Sequence, residues 1–216
     1  MDRPAGAAWL GAVNTLIVTT HPDHESLTVG IARRLEQALP PDSVEVADLT
    51  AEGFDPRFGT ADREAYRGDG EAPAEVLREQ ERIDRAEHLV LVFPVYWWSM
   101  PALMKGWIDR VFVNGWAFEI DPEGGTNRKL GRLTVHLLAV AGDSAGTYER
   151  HGYETAMRTQ IEHGIVDYVG ARRGTTVVLH ESERDDAATR GALVEDAVAT
   201  VARAVLGNAP RASSAS

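Results

Sequence analysis

HLVLVFPVYWWSMPALMKGWIDRVF, residues 88–112, changes character twice along its length. Residues 88–93 are a nearly continuous apolar run, the pattern of a strand covered on both faces. Residues 94–101 set Tyr96, Trp97 and Trp98 side by side between Pro94 and Pro101. From residue 102 onward, Leu103, Met104, Trp107, Ile108, Val111 and Phe112 fall on one helical stripe, and Pro101 suits a helix first turn. The stretch therefore reads strand, loop, helix, with a run of aromatic rings in the loop. Trp107 reads as core. The loop rings read either as core or as a wall for something flat.

The same alternation surrounds this stretch. TLIVTT (15–20), SVEVADL (43–49), LTVHLLAV (133–140) and TTVVLH (175–180) are further strand candidates. Helical patterns separate them: Leu27, Ile31, Leu35 and Leu39; Ala74 to Ala86; Tyr153 to Val169; and Asp185 to Leu206. Strands alternating with helices imply parallel pairing through right-handed crossovers. The expected fold is α/β, a flavodoxin-like three-layer sandwich: a five-stranded parallel sheet of order 2-1-3-4-5 with helices on both faces. One domain is expected over 1–206, with residues 207–216 as a disordered tail. Gly68 to Pro73 reads as a surface loop.

Composition narrows the functional classes. The chain has 216 residues, 44% hydrophobic and 25% charged, which suits a single globular domain with a sizeable core. Its net charge of −11 argues against nucleic acid or an anionic membrane as the main partner. It has no cysteine, which excludes disulfides, thiolate metal sites and thiol nucleophiles. No metal is expected. Ala5 to Val13 imitates a short leader but meets no small-residue cleavage site before the first strand, so a cytoplasmic location is expected. No apolar run approaches the ~20 residues of a membrane helix.

In the 2-1-3-4-5 order, ligands sit beyond the carboxyl ends of the strands, where strand order reverses. That points to three loops. TTHPDHESLTVG (19–30) lacks the glycine patterns of dinucleotide and P-loop sites, but offers a helix start capped by Ser26. Free amides there bind anions, and His21, Ser26 and Thr28 can add donors. Pro94 to Met100 carries the aromatic rings. AVAGDSAGTYERHGY (139–153) supplies Gly142 and Gly146 for close backbone approach, with Tyr148, His151 and Tyr153 as proton or hydrogen-bond donors. Trp116 and Phe118 are candidates for a contact between subunits.

Together these residues carry a resemblance. F-P-x-Y-W-x-S-M-P-A-x-x-K-G-W-x-D-R-V-F (93–112) resembles the signature of the NAD(P)H:quinone oxidoreductase family, which includes DT-diaphorase and many bacterial NAD(P)H dehydrogenases. T-H-P-x-x-x-S-L (20–27) is similar to the family's flavin-phosphate loop. Residues 74–90 resemble the helix leading into its third strand, and the segment from Gly142 to Tyr153 is a looser match to its third flavin loop. The resemblance implies a non-covalent flavin. His21, Ser26, Leu27 and Thr28 would hold its phosphates. Pro94, Val95, Tyr96, Trp97 and Trp98 would flank its ring, and Ala141, Gly142, Asp143 and Tyr148 would close the far side. It implies NAD(P)H as co-substrate, a quinone or similar electron-poor aromatic as acceptor, ping-pong turnover, and a homodimer with its active site at the interface. G-F-D-P-R-F (53–58) is similar in position to a segment near adenine in FAD-binding members, which favours FAD, with FMN as the alternative.

The chain also departs from that pattern. Mammalian members carry Thr-Thr-Gly-Gly where this one has Val140-Ala141-Gly142-Asp143, and a gapless count puts Glu154 at their later histidine. The proton donor is therefore open among Tyr148, His151 and Tyr153. Two other roles stay open: a flavin-binding ancillary subunit of a potassium efflux system, and a flavodoxin-type electron carrier. A phosphoryl-accepting receiver domain shares the strand order but needs an Asp at the end of the third strand, where Pro94 stands.

Overall fold

The computed structural model describes residues 15–121 and 123–207. The leader-like segment Ala5–Val13 and nearly all of the expected tail lie outside them.

Five parallel strands make one sheet: β1 (Thr15–Thr19), β2 (Val44–Asp48), β3 (His88–Pro94), β6 (Thr134–Val140) and β7 (Arg172–Leu179), in the order β2-β1-β3-β6-β7. Two three-residue strands, β4 (Phe118–Ile120) and β5 (Thr126–Arg128), form a separate antiparallel hairpin. With that hairpin set aside, the order is the expected 2-1-3-4-5. The central strands β1, β3 and β6 are buried along their whole length, which explains their unbroken apolar runs.

The helices are α1 (Leu27–Ala38), α2 (Thr60–Arg67), α3 (Ala74–Arg85), α4 (Ala102–Val111), α5 (Ala145–His151), α6 (Tyr153–Arg158) and α7 (Ala187–Gly207), and a π-helical stretch over Thr159–Asp167 continues α6. Ile31 and Leu35 of α1 and Val194, Val198 and Val201 of α7 pack on Ile17, Val90, Val92 and Leu138 on one face. Ile83 of α3, Met104, Trp107 and Val111 of α4, and Met157 and Ile161 pack on Leu16, Leu91, Phe93 and Leu137 on the other. Each fully buried large aliphatic or aromatic side chain contributes roughly 1.5–3 kcal/mol of transfer free energy.

The crossover after β1 thus runs over one face and the crossover after β3 over the other. Adjacent strands whose connections diverge leave a crevice at their carboxyl ends. In register, Thr19 lies beside Val92, so His21 and Val95 leave the sheet at the same edge.

The sequence reading missed the β4–β5 hairpin and one helix, and it offered Phe118 as a ring free for a subunit contact. Thr60–Arg67 is a helix whose one buried residue is Asp62, so it shows no apolar stripe. Phe118 is not available to a second subunit: it is 6% exposed and packs against Tyr66 and Tyr168 within the chain. Trp116 is half-buried, tilted against Phe112, and donates to Asp84 Oδ2 at 3.2 Å.

Candidate functional site

After Pro94 the chain leaves β3 and makes a two-residue turn. Val95 N–H still donates to Val140 O at 2.8 Å, as a continuation of the sheet. Tyr96 and Ser99 then exchange both backbone hydrogen bonds, at 3.0 and 3.2 Å. The two residues between them, Trp97 (φ 48°) and Trp98 (φ 66°), are left-handed. Asn-Gly favours this turn type, and a residue with a Cβ costs roughly 1–2 kcal/mol at each such position. Two tryptophans in it are a strained arrangement of the kind that collects at functional sites.

What holds the turn comes from α6 and the π-helical stretch after it. Ser99 Oγ donates to Gln160 Oε1 on the π-helical stretch. Trp98 stacks on Tyr153 at 3.7 Å between centroids and 13° between planes. Trp97 has no such partner and is 92% exposed. The loop therefore splits in function: Trp98 is packed from behind, and Trp97 projects. Tyr96 is also exposed, while Pro94 is buried and shapes the turn from below.

The third loop meets this turn. Ala141 N–H donates to Leu179 O at 2.8 Å, and Asp143 Oδ1 accepts from Ser144 N–H at 2.6 Å. Ser144 caps α5, its Oγ accepting from Thr147 N–H at 3.3 Å. The short helix carries Tyr148 inward, where its ring meets Trp98 edge-on at 5.6 Å and His180 at 4.7 Å. Gly152 then turns the chain with φ 67°, so that Tyr153 falls back over Trp98. His151, which is exposed, stacks beside Tyr153 at 5.2 Å.

Val95, Trp97, Trp98, Gly142, Asp143 and Tyr148 line a cleft of about 200 Å³. Tyr148 is 3% exposed, and burial, reinforced by the charges of Asp143 and Glu154, raises its phenol above the ordinary value. It is a protonated donor at neutral pH. Asp143 is held below the usual carboxylate range, first by the Ser144 backbone N–H and then by Thr147, so it is ionised there.

The first loop sits at the neighbouring strand end. His21 Nδ1 lies 3.0 Å from the Asp23 N–H and 3.1 Å from the Asp23 carbonyl oxygen, so it accepts from the one or donates to the other, and either bond ties the ring to the turn. Ser26 Oγ accepts from Val29 N–H at 3.3 Å and keeps its own hydroxyl proton to donate. Among the described residues, the Leu27 and Thr28 amides at the start of α1 have no protein acceptor. Thr28 is 2% exposed, at the buried end of this helix start. The free amides and the Ser26 hydroxyl are donors, which suits an anion, and the Asp23 and Glu25 carboxylates stand in the same loop.

The structure thus brings the second and third loops onto one cleft and sets the first beside them. Ala141 is buried behind Gly142, and His151 and Tyr153 support the turn from outside the cleft lining. The sequence reading missed the loop after β7. Glu181, itself left-handed at φ 55°, and Ser182 donate backbone hydrogen bonds to Asp143 O and Ala141 O, at 3.1 and 3.0 Å. The fifth strand ends at this edge, and that was the available signal. The segment Gly53–Phe58 is pinned elsewhere on the α4 side: Arg110 donates to Asp55 O at 2.7 Å, and a Cβ at Gly106 would fall 2.4 Å from Pro56.

Comparison with known proteins agrees with the fold. A family model described as flavodoxin-like fold matches residues 13–202. A ribosyldihydronicotinamide dehydrogenase [quinone] from Pongo abelii is 30% identical over 148 residues, covering 59% of this chain; the match spans 63% of that relative's length. The Escherichia coli protein named uncharacterized NAD(P)H oxidoreductase YcaK is 30% identical over 157 residues, covering 71% of this chain and 76% of its own. Among solved structures, an NAD(P)H:quinone oxidoreductase from Methanothermobacter marburgensis superposes with a TM-score of 0.78 at 24% identity, covering 89% of this chain and 96% of that one. At that identity the likeness speaks for the fold.

Proposed function

The chain belongs to the flavodoxin-like family whose model spans residues 13–202, and on that premise we propose that it is an NAD(P)H-dependent flavin oxidoreductase that reduces quinones or similar electron-poor aromatics by two-electron transfer. One observation carries the reading. A strained, exposed aromatic turn faces a glycine-bearing loop and a buried phenol at the edge where this sheet order binds ligands. The names of the two relatives, a quinone-linked dehydrogenase and an NAD(P)H oxidoreductase, support it.

The residues present fit a flavin. The Leu27 and Thr28 amides, the Ser26 hydroxyl and the His21 ring would hold its phosphate. Val95 to Trp98 would lie along one side of the ring, and Gly142, Asp143 and Tyr148 along the other. A bound flavin supplies the two-electron chemistry that links NAD(P)H to the acceptor. The protein's own work is positioning and proton supply. Trp98, clamped by Tyr153, fixes the wall, and Trp97 covers the ligand from solvent. Tyr148, kept protonated by burial, donates its proton to the acceptor oxygen. FAD is the favoured form through the 53–58 segment, with FMN as the alternative.

A cleft of about 200 Å³ is small beside the ~300–1,000 Å³ of complete ligand sites. A second copy of the chain is the partner that would finish the site, in a cytoplasmic homodimer. The test is a steady-state assay of purified, flavin-loaded protein with NADH or NADPH and a benzoquinone. Parallel reciprocal plots and two-electron product are expected. Flavin uptake without any acceptor reduction would overturn the enzyme reading and favour a binding role.

A further inference from the structure

The amino-terminal edge of the same sheet holds a second polar site, built around two buried histidines. His88 and His136 stand on neighbouring strands, 3% and 0% exposed, with His88 Nδ1 and His136 Nε2 at 3.1 Å. Thr175 N–H donates to His136 Nδ1 at 3.0 Å. A backbone N–H can only donate, so His136 Nδ1 accepts and its proton sits on Nε2. That proton goes to His88 Nδ1, and His88 in turn carries its own proton on Nε2. The hydrogen-bond direction therefore runs one way, from the Thr175 amide through both rings.

The fold enforces this order. Val135 pairs with Arg173 but Leu137 with Thr176, so both Gly174 and Thr175 stand opposite His136. This bulge frees the Thr175 amide for the imidazole. A Cβ at Gly174 would fall 2.5 Å from His136 Nδ1, so the ring lies flat against bare backbone. Burial lowers both histidines, His136 to about 4, and keeps the pair neutral.

The relay ends at a cleft of about 220 Å³ lined by Glu87, His88, Thr134, Arg172 and Arg173. Among the described residues His88 Nε2 has no partner. Arg173 is paired with Asp167 at 2.5 Å. Arg172 reaches the Arg132 carbonyl at 2.8 Å and has no carboxylate partner among the described residues. A fixed neutral N–H donor and a guanidinium with spare donors thus face one small opening. Such a pair recognises an oxygen anion. Glu87, exposed on the rim, is the internal carboxylate that competes for the same donors.

We infer that this cleft binds a small oxyanion, a carboxylate or a phosphate group, between His88 Nε2–H and the Arg172 guanidinium. The site lies at the opposite edge of the sheet from the aromatic turn, and the inference is independent of the flavin reading.

The test uses the full chain with ¹⁵N-labelled histidine, followed by long-range nitrogen–proton spectra at neutral pH. Inorganic phosphate and acetate are titrated separately against chloride at constant ionic strength. Expected are a pyridine-type Nδ1 on both buried rings and a saturable shift of the His88 Nε2 signal with at least one anion. Which anion acts separates a phosphate site from a carboxylate site. Arg172 is exposed, so Arg172→Gln leaves the fold intact and should weaken binding about tenfold or more. Glu87→Gln should strengthen it. A proton on His88 Nδ1, no saturable shift with either anion, or unchanged binding in Arg172→Gln would overturn the proposal.

Discussion

Residues 93–112 divide into two halves with similar side chains and opposite treatment. Tyr96, Trp97 and Trp98 lie in a left-handed turn, two of them exposed and the third stacked on Tyr153 with Tyr148 at its edge. Ten residues later Trp107 is wholly buried, its Nε1–H donating to Glu79 Oε2 at 2.9 Å. Arg110, 4% exposed, is tied to Asp62 and Glu75, each at 2.8 Å, and to the Asp55 carbonyl. Residue type does not separate the halves. Position relative to the sheet edge does: the helix half is satisfied, whereas the turn half carries strain and open rings at the carboxyl edge of the sheet. If this contrast is right, damage to the two halves should differ in kind.

The largest effect belongs to the helix half. Arg110→Ala leaves the buried Asp62 without its charged partner and should cost about 3–5 kcal/mol in urea unfolding, with FMN affinity of the folded fraction unchanged. A loss below about 1 kcal/mol would remove the network from the stability account.

Tyr148→Phe comes next. Removing a proton donor should lower quinone turnover by about 10²-fold, with little change in stability. Because burial raises this phenol, wild-type turnover should show no loss attributable to Tyr148 ionisation below its ordinary value of about 10. A basic limb near neutrality that vanishes in Tyr148→Phe would contradict the assignment.

Tyr153→Ala tests the clamp. Loss of an aromatic stack worth about 0.5–1.5 kcal/mol should speed amide exchange at Tyr96 and Ser99 by up to about tenfold, while the amides of α4 stay protected. Uniform loss of protection would make Tyr153 an ordinary core residue.

Trp97→Gly has the smallest and most telling effect. Glycine relieves a left-handed backbone but makes the unfolded chain freer. Stability should hold or rise by up to about 1 kcal/mol, while flavin binding weakens about threefold to tenfold. Destabilisation would mean that the turn is not strained.

Sequence carried the sheet well because burial on both faces leaves unbroken apolar runs, and Ser26 and Pro101 marked their helix starts by local chemistry. What escaped depends on distant partners. The α2 helix buries only Asp62, whose reason for burial is Arg110, far along the chain. The start of β7 at Arg172 escaped because its first residues are polar and its bulge serves His136. The cleft loops were legible from fold order and aromatic content. The stack of Tyr153 on Trp98 was not, since no local pattern joins residues so far apart. Nor was the clasp of Glu181 and Ser182, which acts through backbone alone.

Isothermal titration of the flavin-free protein with FAD and with FMN, on the wild type and Trp97→Gly side by side, addresses the central claim most directly. Saturable binding of at least one flavin, weakened in the variant without loss of fold, is the expected result. No uptake of either flavin by the folded wild-type chain would contradict the account.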